Sequence, residues 1–166
     1  DLLARRIRVC SQKSFEDDPL RVLRAVRQAA AFGLQIQPET RKLLKLAAPG
    51  LEKVSPERMR DELLRMLAGP QPATVVRALD LLGVLPFLLP ELQALKGVQQ
   101  SAPHVYDVWE HTLAVVSHLE ALLNVLDVEY DPEVSANQLA LALAVLRIGR
   151  YRSQIHNHLA ESEVPE

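Results

Sequence analysis

Asp17-Asp18-Pro19-Leu20-Arg21-Val22-Leu23-Arg24-Ala25-Val26-Arg27 decides how this chain reads. Two acids precede a proline, and arginines then recur at every third position. The spacing predicts a helix from Pro19 to Phe32, with Gly33 as its C-terminal cap. Pro19 suits the first helical position, and Asp17 or Asp18 suits the cap before it. Leu20, Leu23, Val26 and Ala30 then form the apolar side, and Arg21, Arg24 and Arg27 fall on adjacent faces. A carboxylate one turn from a fork of guanidinium donors can grip a base edge and phosphates together. The same pattern also describes ordinary dipole chemistry and charge pairing on a solvated helix.

Outward from this segment the chain is punctuated as short helices. Pro38 opens one that ends before Pro49-Gly50. Ser55-Pro56-Glu57 opens another that runs to about Ala68. A fourth covers Ala73–Leu82, with Gly83 as its stop, and Pro86 and Pro90 break the next stretch into turns. Asp107 and Glu110 resemble a capping box for a long helix to about Leu126. Ser135 and Gln138 start another ending near Gly149, and Tyr151–Glu161 is amphipathic. Ile7–Cys10 is a short extended piece, and no useful period-2 strand follows. The fold class expected is all-α.

Composition narrows the function classes. The 166 residues are 48% hydrophobic and 24% charged, enough for a packed core in a soluble chain. The single cysteine, Cys10, excludes an internal disulfide and reads as a small semi-buried residue. The apolar run Leu139–Leu146 is too short to span a bilayer, so a cytoplasmic protein without a membrane role is expected. Residues 1–65 carry 14 Lys and Arg against 9 Asp and Glu, whereas the remainder is acidic. The basic half is the one suited to phosphates. An aromatic content of 4% argues against a binder that stacks single strands.

Other chemical candidates are sparse. His111 and His118 share a helix face but lie about 10 Å apart by helical rise, too far for one metal without further ligands. His156 and His158 face different sides of a helix and read as surface residues. Trp109 and Tyr106 read as core or interface anchors. There is no Gly-rich phosphate loop and no zinc-ligand spacing.

Several motifs occur in one consistent order. Ser14-Phe15-Glu16-Asp17-Asp18-Pro19-Leu20-Arg21…Arg24-Ala25-Val26-Arg27…Phe32-Gly33 resembles the nucleotide-selecting motif of class II tRNA nucleotidyltransferases, the CCA-adding enzymes and bacterial poly(A) polymerases. Asp1-Leu2-Leu3 through Ile7-Arg8 resembles the end of the preceding motif. Val54-Ser55-Pro56-Glu57-Arg58 with Glu62-Leu63 resembles the family's neck. Leu79-Asp80, Leu82-Gly83-Val84-Leu85 and Leu89-Pro90-Glu91-Leu92 resemble its body. His104 through Leu113 resembles the entry to a His-Asp-type phosphohydrolase domain. The resemblance covers roughly residues 1–120.

That resemblance implies a division: residues 1–14 as the tail of a nucleotidyltransferase head, 15–68 as neck, 69–103 as body, and 104–166 as the opening helices of an incomplete His-Asp-type domain. It implies that Asp18 and Arg21 read the base, and that Arg24 and Arg27 make further nucleotide contacts. His111 matches one ligand of a metal site whose remaining ligands do not occur, so no metal is expected here. The carboxylates that would hold Mg2+ during transfer also do not occur, and the chain is expected to be an inactive fragment of a longer enzyme. Expected partners are a tRNA or other RNA 3′ end, ATP and CTP. Unpartnered apolar residues in the C-terminal third would favour self-association. The choice among CCA, CC, A and poly(A) addition stays open. A helical RNA-binding or adaptor module and a degenerate His-Asp-type phosphohydrolase are the alternative readings.

Overall fold

The computed structural model describes residues 3–11, 13–127 and 139–161. The helical expectation holds. The elements are β1 (Arg6–Ile7), α1 (Ser14–Asp17), α2 (Arg21–Phe32), β2 (Gln35–Ile36), α3 (Pro38–Ala47), α4 (Pro56–Leu67), α5 (Pro72–Leu81), α6 (Leu85–Leu88), α7 (Pro90–Gln93), α8 (Val108–Leu126), α9 (Leu139–Ile148) and α10 (Arg152–Glu161). Short 3-10 turns, Ala48–Lys53 and Gly149–Tyr151, follow α3 and α9. Ser135 and Gln138, the expected start of α9, lie outside the described residues. Among the described residues the one departure from all-α is a parallel pair of two-residue strands, Arg6 beside Gln35 and Ile7 beside Ile36. Two residues are too few to leave a period-2 signal.

The chain divides into two compact units, Asp1–Ala114 and Val115–Glu166. In the first, the fully buried Val22 and Leu23 of α2 meet Leu44, Leu51, Met66, Val75 and Leu79 from the surrounding helices. The burial of one α2 face follows from apolar residues at three- and four-residue spacing. A smaller cluster gathers Val76, Leu85, Trp109 and Leu113. Trp109 is therefore a core anchor as expected, whereas Tyr106 is exposed. Cys10 is exposed rather than semi-buried. The strand pair is tied down by the buried Thr40, whose hydroxyl accepts from the Val9 N–H at 3.1 Å.

Helix termini explain where the elements stop. Gly33 takes φ 59°, and the Leu34 N–H returns to the Ala29 carbonyl at 2.8 Å, closing α2 with a left-handed cap that only glycine adopts cheaply. Gly50 is a close approach of another kind: a Cβ there would lie 3.1 Å from the Pro19 ring. Ser55 occupies the N-cap position of α4, but its hydroxyl makes no capping bond. Asp107 does cap α8, accepting from the N–H groups of Glu110 at 2.8 Å and Gly97 at 2.9 Å. Those bonds, that from Glu110 foremost, hold the Asp107 carboxyl below its ordinary range. The expected capping box is only half made, because Glu110 takes both terminal nitrogens of Arg77 at 3.1 and 3.0 Å.

In the second unit, Val125, Leu126 and Leu141 form the buried centre, with Val145, Ile148 and Ile155 around it. Arg152 donates to the Val125 carbonyl at 2.9 Å. Leu143 and Leu146 are exposed, as are His156 and His158.

Two outcomes follow from this packing. Leu23→Ala should destabilise the chain by about 2–5 kcal/mol, read as a shift in the denaturant midpoint. Asp107→Ala should lower the thermal midpoint at neutral pH. A depressed carboxylate contributes stability above its unfolded pKa and loses it as pH falls through the folded one. The gap between wild type and Asp107→Ala should therefore close on acidification, and a pH-independent gap would contradict the cap.

Candidate functional site

The site begins at the junction of α1 and α2. Asp18 leaves α1 in an extended conformation, φ −145° and ψ 96°. The chain then tightens: Arg21 N–H bonds the Asp18 carbonyl and Val22 N–H bonds the Pro19 carbonyl, both at 3.0 Å. Pro19 thus sits in a turn before the helix rather than at its first position, and Leu20 is the N-cap, with no side-chain capping bond. Neither Asp17 nor Asp18 caps α2. The three-residue reach of those first bonds aligns α2 without a side-chain cap.

The Asp18 carboxylate instead faces cations. Its Oδ1 lies 3.4 Å from Arg58 Nη2, and its Oδ2 lies 3.9 Å from Arg21 Nε and 3.8 Å from Arg24 Nη1. All three separations exceed the roughly 2.7–2.9 Å of a closed charge-assisted bond. Arg21 is held separately, donating from Nη1 to the Ser14 carbonyl at 3.1 Å. Asp18 is thus partly exposed, surrounded by positive charge, and bound tightly to none of it.

Glu62 of α4 is the opposite case. Its residue is 4% exposed. Its Oε1 accepts from Arg24 Nε at 3.1 Å, and its Oε2 from Arg27 Nε at 2.8 Å. One buried carboxylate therefore fixes two members of the arginine row across 38 and 35 residues of sequence. Each arginine spends its Nε on Glu62, which leaves its terminal nitrogens outside that pair. Arg24 also spans the two carboxylates, with Nε on Glu62 and Nη1 toward Asp18.

The fold thus brings Asp18, Arg21, Arg24 and Arg27 together and adds Glu62 and Arg58, whose roles the sequence reading does not identify. Glu62 had a legible signal. It falls in the helical stripe between Met59 and Met66, and an acid at a core-facing position demands a partner. Arg58 left a fainter one, a cation at the third residue of a helix, where the dipole disfavours it.

Elsewhere, the rings of His104 and His111 meet edge-on at 5.6 Å between centroids. Among the described residues no group of three or more His, Cys, Asp or Glu could hold a metal ion. Among those residues, too, no helix is long and apolar enough to cross a membrane. A cavity of about 740 Å³ opens at β2, α3 and α5, lined by Leu34, Ile36, Leu82 and the guanidinium residues Arg6 and Arg41. It includes none of the clustered carboxylates.

Comparison with known proteins gives this arrangement a context. Residues 33–96 match the family described as "Probable RNA and SrmB- binding site of polymerase A". The chain is 37% identical over 124 residues to a CC-adding tRNA nucleotidyltransferase of Thermus thermophilus, covering 72% of this chain and 29% of that protein. It is 42% identical over 123 residues to the multifunctional CCA protein of Pseudomonas paraeruginosa, covering 70% and 30%. Its fold resembles that of the Thermotoga maritima CCA-adding enzyme solved with tRNA, with TM-score 0.54 and 23% identity over 97% of this chain and 42% of that one. The matched family segment, the aligned sequences and the common fold make this chain a relative of the tRNA nucleotidyltransferases, spanning about three-tenths of the length of the curated proteins it matches.

Proposed function

We propose that this chain supplies nucleotide selection for the transfer of C or A residues onto the 3′ end of tRNA or a similar RNA. The observation that carries the reading is the contrast between the two carboxylates. Glu62 is buried and closed on two arginines, so it orients. Asp18 is loosely held at 3.4–3.9 Å, so it can accept from something else.

The chemistry fits C and A. Cytosine and adenine each place an amino donor beside a ring-nitrogen acceptor. Asp18 would accept from the amino group while Arg21 donates to the ring nitrogen. Uracil and guanine place a carbonyl where the amino group would be, and a carboxylate repels it. Each such two-point contact discriminates by about 1–3 kcal/mol. Arg24 and Arg27, held by Glu62, would contact sugar or phosphate with their terminal nitrogens. In this reading ATP, CTP and the RNA end are the partners. Two-metal nucleotidyl transfer uses ions such as Mg2+. The described residues include no cluster suited to such ions, and the selection derived above runs through side chains alone.

The test is incorporation of each of the four nucleotides by the complete gene product onto a tRNA lacking its 3′ end. Asp18→Ala should cut the preference for CTP and ATP over UTP and GTP roughly tenfold or more, because attraction and repulsion are lost together. Arg21→Ala should weaken use of CTP and ATP without admitting the others. Unaltered preference in Asp18→Ala would return the arginine row to a solvated helix face. Glu62→Gln keeps the shape and removes the charge. It should raise KM for all four nucleotides and cost about 1–3 kcal/mol in stability, read as a denaturant midpoint.

A further inference from the structure

We infer that Arg58 is a specificity-positioning residue: it holds the Asp18 carboxylate open toward an incoming base by keeping it from closing on Arg21. This deepens the proposed base-reading role of Asp18 and rests on it.

The geometry supplies the reason. Asp18 and Arg21 are three residues apart at the start of a helix, a spacing at which acid and base pair readily. Closure between them would spend the acceptor and the donor on each other and leave nothing for a base. They are not closed, with 3.9 Å between Asp18 Oδ2 and Arg21 Nε. Two contacts keep them apart. Arg21 donates to the Ser14 carbonyl at 3.1 Å, and Arg58 reaches across from α4 to the other oxygen, Oδ1, at 3.4 Å. Arg58 is the shortest of the three cationic contacts to Asp18 and the one that comes from a different helix.

Stability does not explain Arg58. Its side chain is 52% exposed, and exposed ion pairs contribute little. It also follows Pro56 and Glu57 in the first turn of α4, where the positive end of the dipole disfavours a cation. A residue that breaks a local rule without stabilising its own helix is the signature of a site requirement. Its exposure also lets it swing into solvent when the amino group of cytosine or adenine arrives at Oδ1. Arg58 thus behaves as a placeholder: it steadies the carboxylate before a base arrives and yields that oxygen to the base.

The experiment measures kcat and KM for CTP, ATP, UTP and GTP with the complete gene product and a tRNA lacking its 3′ end. The variants are Arg58→Ala, Arg58→Lys, Asp18→Ala, and Asp18→Ala with Arg58→Ala. Arg58→Ala should raise KM for CTP and ATP roughly two- to tenfold, with kcat near wild type, and narrow their lead over UTP and GTP. Arg58→Lys should restore part of the loss as a point charge. In the Asp18→Ala background, Arg58→Ala should change nothing further, because its one target is gone. A lowered thermal midpoint with equal losses for all four nucleotides, persisting in that background, would make Arg58 structural and overturn the inference. Relaxed choice in Asp18→Ala with unchanged choice in Arg58→Ala would overturn the inference alone. Unchanged choice in both would overturn the base-reading role beneath it. Should Arg58→Ala fail to fold, Arg58→Lys and Arg58→Gln read the same selectivity with most of the side chain kept.

Discussion

A carboxylate taken out of water must be paired, and Glu62 is paired twice. Burying one charge is costly unless its oxygens are satisfied, and losing either partner strands the rest. Each oxygen takes one arginine Nε, so α2 and α4 are locked in register by a polar contact that an apolar core cannot specify. Apolar packing between the two helices tolerates small slides; a carboxylate shared by two directed N–H donors does not. The orientation of the arginine row, and with it the setting of Asp18, depends on this one buried group.

The two acids show how environment divides labour between identical chemical groups. Glu62 has excluded water and closed bonds. Asp18, with its side chain 23% exposed, has three cations at arm's length. Positive surroundings aim such a carboxylate, and its partial exposure keeps those partners replaceable. Arg24 touches both regimes, and any strain on Glu62 would reach Asp18 through it.

Much of this was legible in residue order. Proline and glycine mark most helix ends, and the apolar spacing of Leu20, Leu23 and Val26 marks the buried face of α2. The four residues proposed to read a nucleotide are local in sequence and were found together. What was not legible is tertiary. Glu62 and Arg58 join the site from α4, and no local pattern states which arginines they meet. The cap expected at Asp18 is lost for the same cause, since its carboxylate lies among the guanidinium groups of Arg21, Arg24 and Arg58. A side chain with a better partner elsewhere abandons the local hydrogen bond its position suggests, as Glu110 does for Arg77. The strand pair escaped because its partners are 29 residues apart and two residues long.

Gly50 carries a consequence of another order. The Pro19 ring lies against its backbone, and a methyl group there would press on Pro19 at 3.1 Å. Pro19 is the residue after Asp18, in the turn that launches α2. A proline ring is stiff, so pressure on it passes to the backbone instead of being absorbed by a rotamer. Position 50 thus bears on the site at one remove: it touches no candidate ligand, yet a methyl group there would require the Pro19 ring to give by a few tenths of an ångström. The neighbour that a side chain at this turn would meet is 31 residues away in sequence, so inspection of the turn alone would not reveal it.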